Sequence, residues 1–280
     1  MPSALALLAL TAIALTGCAG KPEDDDSSKP VEVIYNDAMD KMAITDYVTA
    51  AQYFDEVDRL YPYSVWATKA ELMEIYAQYQ ANKYDDAIAA ANHYIALHPG
   101  NRDTAYAYYL KAICYYEQIT DIGRDQQTTL DAQNALQAVI DRYPDSEYAR
   151  DARIKLDLTH DHLAGKEMEI GRFYEGKNLY IAAINRYDHV IANYQNTSHV
   201  PEALGRLVES YTALGLPREA KQTAAVLGYN FPYNPWYRDS YNLIQKTQKG
   251  QPSQGPELKQ PGQPSSSGPG WLSRTWSSIF

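Results

Sequence analysis

The amino-acid sequence predicts an all-α fold, a superhelix of five stacked helical hairpins, and three observations carry that prediction. Small residues, large apolar residues and prolines recur in a fixed order, about every 34 residues, between positions 31 and 234. No stretch alternates apolar and polar residues between turn signals, so β-structure is not expected. With 280 residues, 45% of them hydrophobic and 21% charged, the chain is long enough to bury a sizeable core in one folded body.

The order of residues has a physical cause that matches tetratricopeptide units. Small residues near positions 8, 20 and 27 let two antiparallel helices approach, an aromatic or Leu near 24 fills the layer between units, and Pro near 32 stops the second helix. The first hairpin, 31–64, places Ala38, Ala50, Phe54, Val57 and Pro62 at these points. The second, 68–101, has Tyr84, Ala87, Ala91, Tyr94 and Pro99 but is degenerate, with Ile75 and Tyr94 where small residues are expected. In the third, 105–145, Ala112 and Tyr115 match, while Ala132, Leu136, Val139 and Pro144 match only if Ile122 to Thr129 is skipped as a polar loop. The fourth, 146–197, supplies Gly171, Tyr174, Tyr180, Ala183, Tyr187 and Val190, with Gln195 in place of Pro. Its first helix reads as overlong, from Ser146 to Gly176, with Gly165 as a point of bending. The fifth, 201–234, gives Tyr211, Gly215, Ala220, Ala224, Leu227 and Pro232, and the folded domain is expected to close at 245.

The ends differ from this body. Pro2 to Gly17 carries no charge and is too short to cross a bilayer, so residues 1–17 read as an export signal. Leu15-Thr16-Gly17-Cys18 resembles the lipobox of bacterial lipoproteins, which makes Cys18 the expected lipidation site, with palmitate among its acyl chains. Acyl chains contribute about 0.8 kcal/mol per buried CH₂ and would hold the body at a membrane, with 18–30 as an acidic spacer. From 246 to 270 the composition shifts to Gln, Pro, Ser and Gly, a linker that cannot bury enough apolar surface to fold. In 271–280, Trp271, Leu272, Trp276, Ile279 and Phe280 form a short amphipathic tail, expected to order only on docking.

Chemistry is constrained mainly by what does not assemble. A net charge of −10 without a basic run argues against nucleic acid. No HExxH, P-loop, GxSxG or paired-cysteine pattern is present, so neither an enzyme nor a cofactor is expected. Asp157, His160 and Asp161 share one helical face, but a solvated polar face accounts for them better than a metal does. Cys114 sits in an apolar helix and reads as a packed thiol. Binding is the stronger prospect. The inner face of such an array puts Leu72, Tyr76 and Tyr79 beside Tyr106, Tyr109, Ile113 and Tyr116, and the chain holds 25 tyrosines against 4 phenylalanines. Tyrosine combines a rigid apolar body with a polar tip, which suits a groove for an extended or aromatic-ended peptide. A generally Tyr-rich composition is the competing explanation.

The lipobox, the short spacer, the repeats and the stretches LYPYS at 60–64, RYPDSEYARDA at 142–152 and INRY at 184–187 together resemble the BamD family. These are the lipoprotein subunits of the β-barrel assembly machinery of Gram-negative outer membranes. The resemblance spans about 15–245 and implies a role in binding, folding and inserting outer membrane β-barrel proteins from the periplasmic face. It implies that Tyr61, Pro62 and Tyr63, with the tyrosine groove, contact substrate C-terminal signals, and that Arg186 docks the periplasmic domains of the barrel-forming subunit. The partners implied are that subunit, other assembly lipoproteins, unfolded outer membrane proteins and the membrane itself. Two other classes stay open: an adaptor of the cell-envelope division apparatus, and a periplasmic hydrolase with an unrecognised site.

Overall fold

Helix boundaries in this protein follow the punctuation of its sequence. The structure, a computed structural model, describes residues 29–249. Among these it holds eleven α-helices and no strand: α1 (Val31–Ala43), α2 (Tyr47–Leu60), α3 (Ala67–Gln80), α4 (Tyr84–Leu97), α5 (Thr104–Glu117), α6 (Gln127–Arg142), α7 (Glu147–Gly176), α8 (Tyr180–Asn193), α9 (Val200–Ala213), α10 (Pro217–Asn230) and α11 (Pro235–Lys249). Cys18, the spacer up to 28, the linker from 250 and the aromatic tail lie outside the described residues.

The same junction closes α2, α4, α6, α8 and α10. Each ends on an aromatic or His residue, at Tyr61, His98, Tyr143, Tyr194 and Phe231, whose φ lies between −123° and −134° and ψ between 47° and 54°. That residue's carbonyl accepts a hydrogen bond from the N–H three residues on, at 2.9–3.1 Å, which makes a turn with Pro at its second position in four of the five cases. Proline suits that position because its ring presets φ. Gln195 takes it after α8.

The turns inside the hairpins are equally regular. Thr45, Asn82, Asn178 and Gly215 each have positive φ, between 58° and 72°, in three-residue links between the paired helices. The third hairpin departs, because its link is longer. The polar loop expected at 122–129 is displaced: α6 already begins at Gln127, and Gln126 ties the loop down through Ile122 O and Arg124 O.

Two units divide the chain, one ending at Ala81 and the other starting at Asn82. In the first, α1, α2 and α3 close over Ile34, Ala38, Ala50, Phe54, Val57, Ala70 and Ala77. Tyr35 packs against Phe54 and Trp66 at ring separations of 5.5 and 4.8 Å, as aromatic pairs prefer. In the second unit successive helices pack as neighbours from α4 to α11. Its α7 is 30 residues long, about 45 Å at 1.5 Å per residue. Ala152 and Leu156 join Leu136 and Val139 under α6, whereas Leu163, Ala164 and Met168 join the core of α8, α9 and α10. One helix thus serves two cores. Gly165 lies inside it as a buried residue, and a Cβ there would come within 3.3 Å of the His199 ring, so close packing explains the glycine.

The C-terminal end corrects two expectations. The linker expected from 246 starts later, because residues 246–249 belong to α11. That helix was not anticipated as an element of its own, yet its start is well signalled. Asn234 accepts a hydrogen bond from Trp236 N at 3.0 Å, and Pro235 fills the first helical position. Trp236, Tyr237, Leu243 and Ile244 then pack onto the core of α8 to α10.

Candidate functional site

In the first unit the proposed contact residues fall at a helix end and on α3. Tyr61 is half-buried, and its hydroxyl donates to Lys29 O at 2.6 Å, which pins the chain entering α1. Pro62 and Tyr63 stand out in the turn, and Tyr63 is 101% exposed. Leu72, Tyr76 and Tyr79 are half-buried on α3. Beside them Glu74 is held as an acid by its surroundings: burial, then Asp55, Asp58 and Glu71, raise its carboxyl to about 7. Gln78 Nε2 donates to Glu74 Oε1 at 2.6 Å.

The second unit gathers its inner tyrosines more tightly. Tyr106 and Tyr109 of α5 flank Tyr148 of α7 at ring separations of 5.3 and 5.2 Å, and the Tyr109 hydroxyl donates to Asp151 Oδ2 at 2.7 Å. Tyr116 lies under Lys155 Nζ, 4.8 Å from the ring centroid. Ile113 was expected to line the groove with them, but it is 4% exposed and belongs to the packing. Helices α4, α6 and α7 all pack against α5. Tyr148 was the member of the cluster that sequence spacing did not supply, although it stands inside RYPDSEYARDA. Beneath, Cys114 is buried, and burial followed by Glu117 pushes its thiol up to about 12. That is the chemistry of a packed thiol.

Arg186 lies on α8 and is already occupied. Its Nη1 donates to Glu167 Oε2 of α7 at 3.1 Å, with 41% of the side chain exposed. Tyr174, Ala182, Asn185 and His189 line an open hollow around it. Nearby, Ile181 and Phe173 stay 69% and 61% exposed, so apolar surface accompanies the charge.

Two features of this unit escape sequence reading: the reach of an ion-pair network across several helices, and a buried carboxylate oxygen. Arg206 of α9 meets Glu175 at 3.4 Å, Glu209 at 3.2 Å and Glu202 at 3.5 Å, while Arg172 reaches Glu202 at 3.1 Å. Tyr187 donates to Glu175 at 2.8 Å, and the Arg206 guanidinium lies 5.0 Å from the Trp236 ring centre. This network ties α7, α8, α9 and α11 together. Asp188 is the opposite case. Its Oδ1 is buried and accepts no hydrogen bond from the described residues, and burial raises its carboxyl to about 7.

The polar face of α7 divides its members among separate tasks. Asp161 Oδ1 accepts from Ser198 N and Oγ at 3.1 and 2.9 Å, and so fixes the chain entering α9. His160 sits 3.2 Å from Gln133 and against the Tyr194 ring, and burial lowers its basicity although Asp157 opposes it. No group of three or more such ligands among the described residues could hold a metal ion. No described helix is long and apolar enough to cross a membrane.

Comparison with known proteins adds three findings to this geometry. Residues 27–227 match the YfiO family, described as an outer membrane lipoprotein. The chain is 48% identical over 246 residues to the outer membrane protein assembly factor BamD of Caulobacter vibrioides, covering 87% of this chain and 81% of that one. The protein of the same name from Rickettsia prowazekii is 43% identical over 244 residues, covering 87% and 97%. That from Neisseria meningitidis serogroup A is 32% identical over 239 residues, covering 82% and 90%.

Proposed function

The chain belongs to the YfiO family of outer membrane lipoproteins, and on that premise we propose that it is an outer membrane protein assembly factor that works as a scaffold rather than as a catalyst. Cys18 carries the lipid, and the helical body hangs at the periplasmic face of the outer membrane. The observation that carries the reading is identity of 48% and 43% to two assembly factors over most of both lengths. An inner face rich in tyrosine supports it further, since such a surface can hold an extended chain through rings and hydroxyls without a deep pocket.

Within this reading each unit carries a substrate-contact surface of its own, Tyr61, Pro62 and Tyr63 with Leu72, Tyr76 and Tyr79 in the first, and Tyr106, Tyr109 and Tyr116 in the second. These surfaces receive the C-terminal signals of unfolded β-barrel proteins. Arg186 docks a periplasmic domain of the barrel-forming subunit by presenting a guanidinium to a carboxylate, and the exposed Ile181 and Phe173 contribute apolar contact. Other assembly lipoproteins join the same complex.

Affinity purification of the full chain from cell envelopes, with mass spectrometry of what accompanies it, tests the proposal. A β-barrel protein carrying repeated periplasmic domains should be the dominant partner. Recovery of division proteins with no such barrel protein would overturn it.

A further inference from the structure

The cleft at the end of the second unit has walls from three helices and an occupant within reach on the same chain. It encloses about 190 Å³ between the link of α9 to α10 and the last turn of α11, and Thr212, Pro217, Ala220, Ile244 and Thr247 line it. Its surface is mixed, with Lys221 and Gln248 also among the lining residues. Thr212 Oγ1 donates to Val208 O at 2.7 Å and Thr247 Oγ1 to Leu243 O at 2.7 Å, so both hydroxyls are engaged by their own helices. Pro217, Ala220 and Ile244 supply apolar wall, while Lys221 and Gln248 bring polar ends beside it. On the rim, Leu214 and Leu216 remain 37% and 39% exposed.

The chain continues past α11 directly from this wall, since Thr247 and Gln248 line the cleft and α11 ends at Lys249. Twenty-one residues of mainly Gln, Pro, Ser and Gly, 250–270, then lead to WLSRTWSSIF at 271–280. A chain of that length and composition has a root-mean-square span of about 25 Å and cannot exceed about 75 Å. It therefore presents the aromatic segment to the cleft at an effective concentration on the order of millimolar. An indole is the bulkiest apolar side chain available and brings one N–H donor, which suits a small opening whose wall mixes apolar and polar groups. The last helix of a repeat array also needs its outer apolar surface covered.

We propose that the 271–280 segment docks into this cleft of its own chain, with Trp271 or Trp276 as the anchor. The docked segment caps the array at α11. The proposal is independent of the assembly role: it stands or falls on contacts within one chain.

The test is photo-cross-linking in cells, with p-benzoylphenylalanine replacing Leu272 in the full chain and the adducts located by mass spectrometry. The expected adducts join residue 272 to peptides of 212–221 or 244–248 in the same chain, with isotope mixing to identify adducts between copies. Thr247→Phe, which fills the cleft, should lower their yield about tenfold, the loss typical of one anchor. Trp271→Ser with Trp276→Ser should do the same without touching the folded body, which keeps the test decisive if Thr247→Phe disturbs α11. Adducts to a second copy, to another protein or to lipid in place of these peptides would overturn the proposal. So would an intramolecular yield that neither variant changes.

Discussion

Arg186 is held by an ion pair with Glu167 that contributes about 0–1 kcal/mol, because the guanidinium keeps 41% of its surface in water. The pair orients the side chain without committing it. Arg186→Glu is therefore expected to abolish co-purification with the barrel-forming subunit while shifting the melting temperature only slightly. Arg186→Lys should recover part of a docking loss of about 2–5 kcal/mol, since a point charge cannot replace the planar fork. Retention of the partner by the Glu variant would remove Arg186 from the docking surface. The tyrosines call for a two-step test. Tyr76→Ala with Tyr109→Ala should weaken binding of Phe-ended peptides by about 1 kcal/mol or more per ring, with helicity checked by circular dichroism. Tyr109→Phe keeps the ring and gives up the hydroxyl that bonds Asp151, so it should retain most of that affinity. Asp188 makes the protein's stability depend on pH. Its folded value is raised to about 7, so the folded state holds a proton that the unfolded chain releases near pH 4. The contribution is full below about pH 4 and is lost as pH rises to about 7, on the order of 2 kcal/mol once residual solvent contact is allowed for. Chemical denaturation of Asp188→Asn across that range should show a flatter profile, and Glu74 supplies the slope that remains.

The three-residue links show how an element tolerates one awkward residue. Asn82, Asn178 and Gly215 adopt the left-handed region readily, whereas Thr45 at φ 61° is β-branched and pays a steric penalty there. Thr45→Asn should stabilise the first hairpin by about 1 kcal/mol, read as a shift in the denaturation midpoint. Close approach is the second element-scale constraint. A Cβ on Gly205 would come within 2.6 Å of the Trp236 ring, and one on Gly228 would collide with Tyr237, so α11 seats on two bare patches of α9 and α10. Gly205→Ala should cost about 1–3 kcal/mol and loosen α11 first, visible as lost amide protection in that helix. These particulars mark what the sequence disclosed. Ala38, Ala50, Ala183 and Ala220 revealed hairpins because one rule of small against large governs every pair of helices. The start of α11 was written in Asn234-Pro235 and overlooked because the repeat period had ended at 234. Ile113 reads as part of an open face because periodicity locates a face of α5 without showing how deeply each residue on it is buried. The contacts of Arg206 with Glu175 and Trp236 had no local signature, since those partners come from α7 and α11, and nothing in the sequence marks the Asp188 oxygen as orphaned.

At the scale of the whole molecule, two predictions fall on the segments that flank residues 29–249. Cys18→Ala should leave the precursor uncleaved and without labelled palmitate. Incorporation of palmitate by that variant would exclude the lipid site. Truncation after Gly250 should preserve the circular dichroism spectrum, and equal retention in the complex would show that the tail serves its own chain rather than a partner. With Cys18 acylated as proposed, Cys114 is the remaining thiol of the chain, and its setting has a practical consequence. Sealed in α5 with a thiol held near 12, it offers neither access nor thiolate to a reagent while the helix stays packed. A maleimide or disulfide reagent added in excess will therefore label the native protein only as fast as α5 opens, so the rate of labelling becomes a clock for breathing of the second unit. A partner that grips this unit will slow that clock, which makes complex formation measurable without attaching any probe to the binding surface.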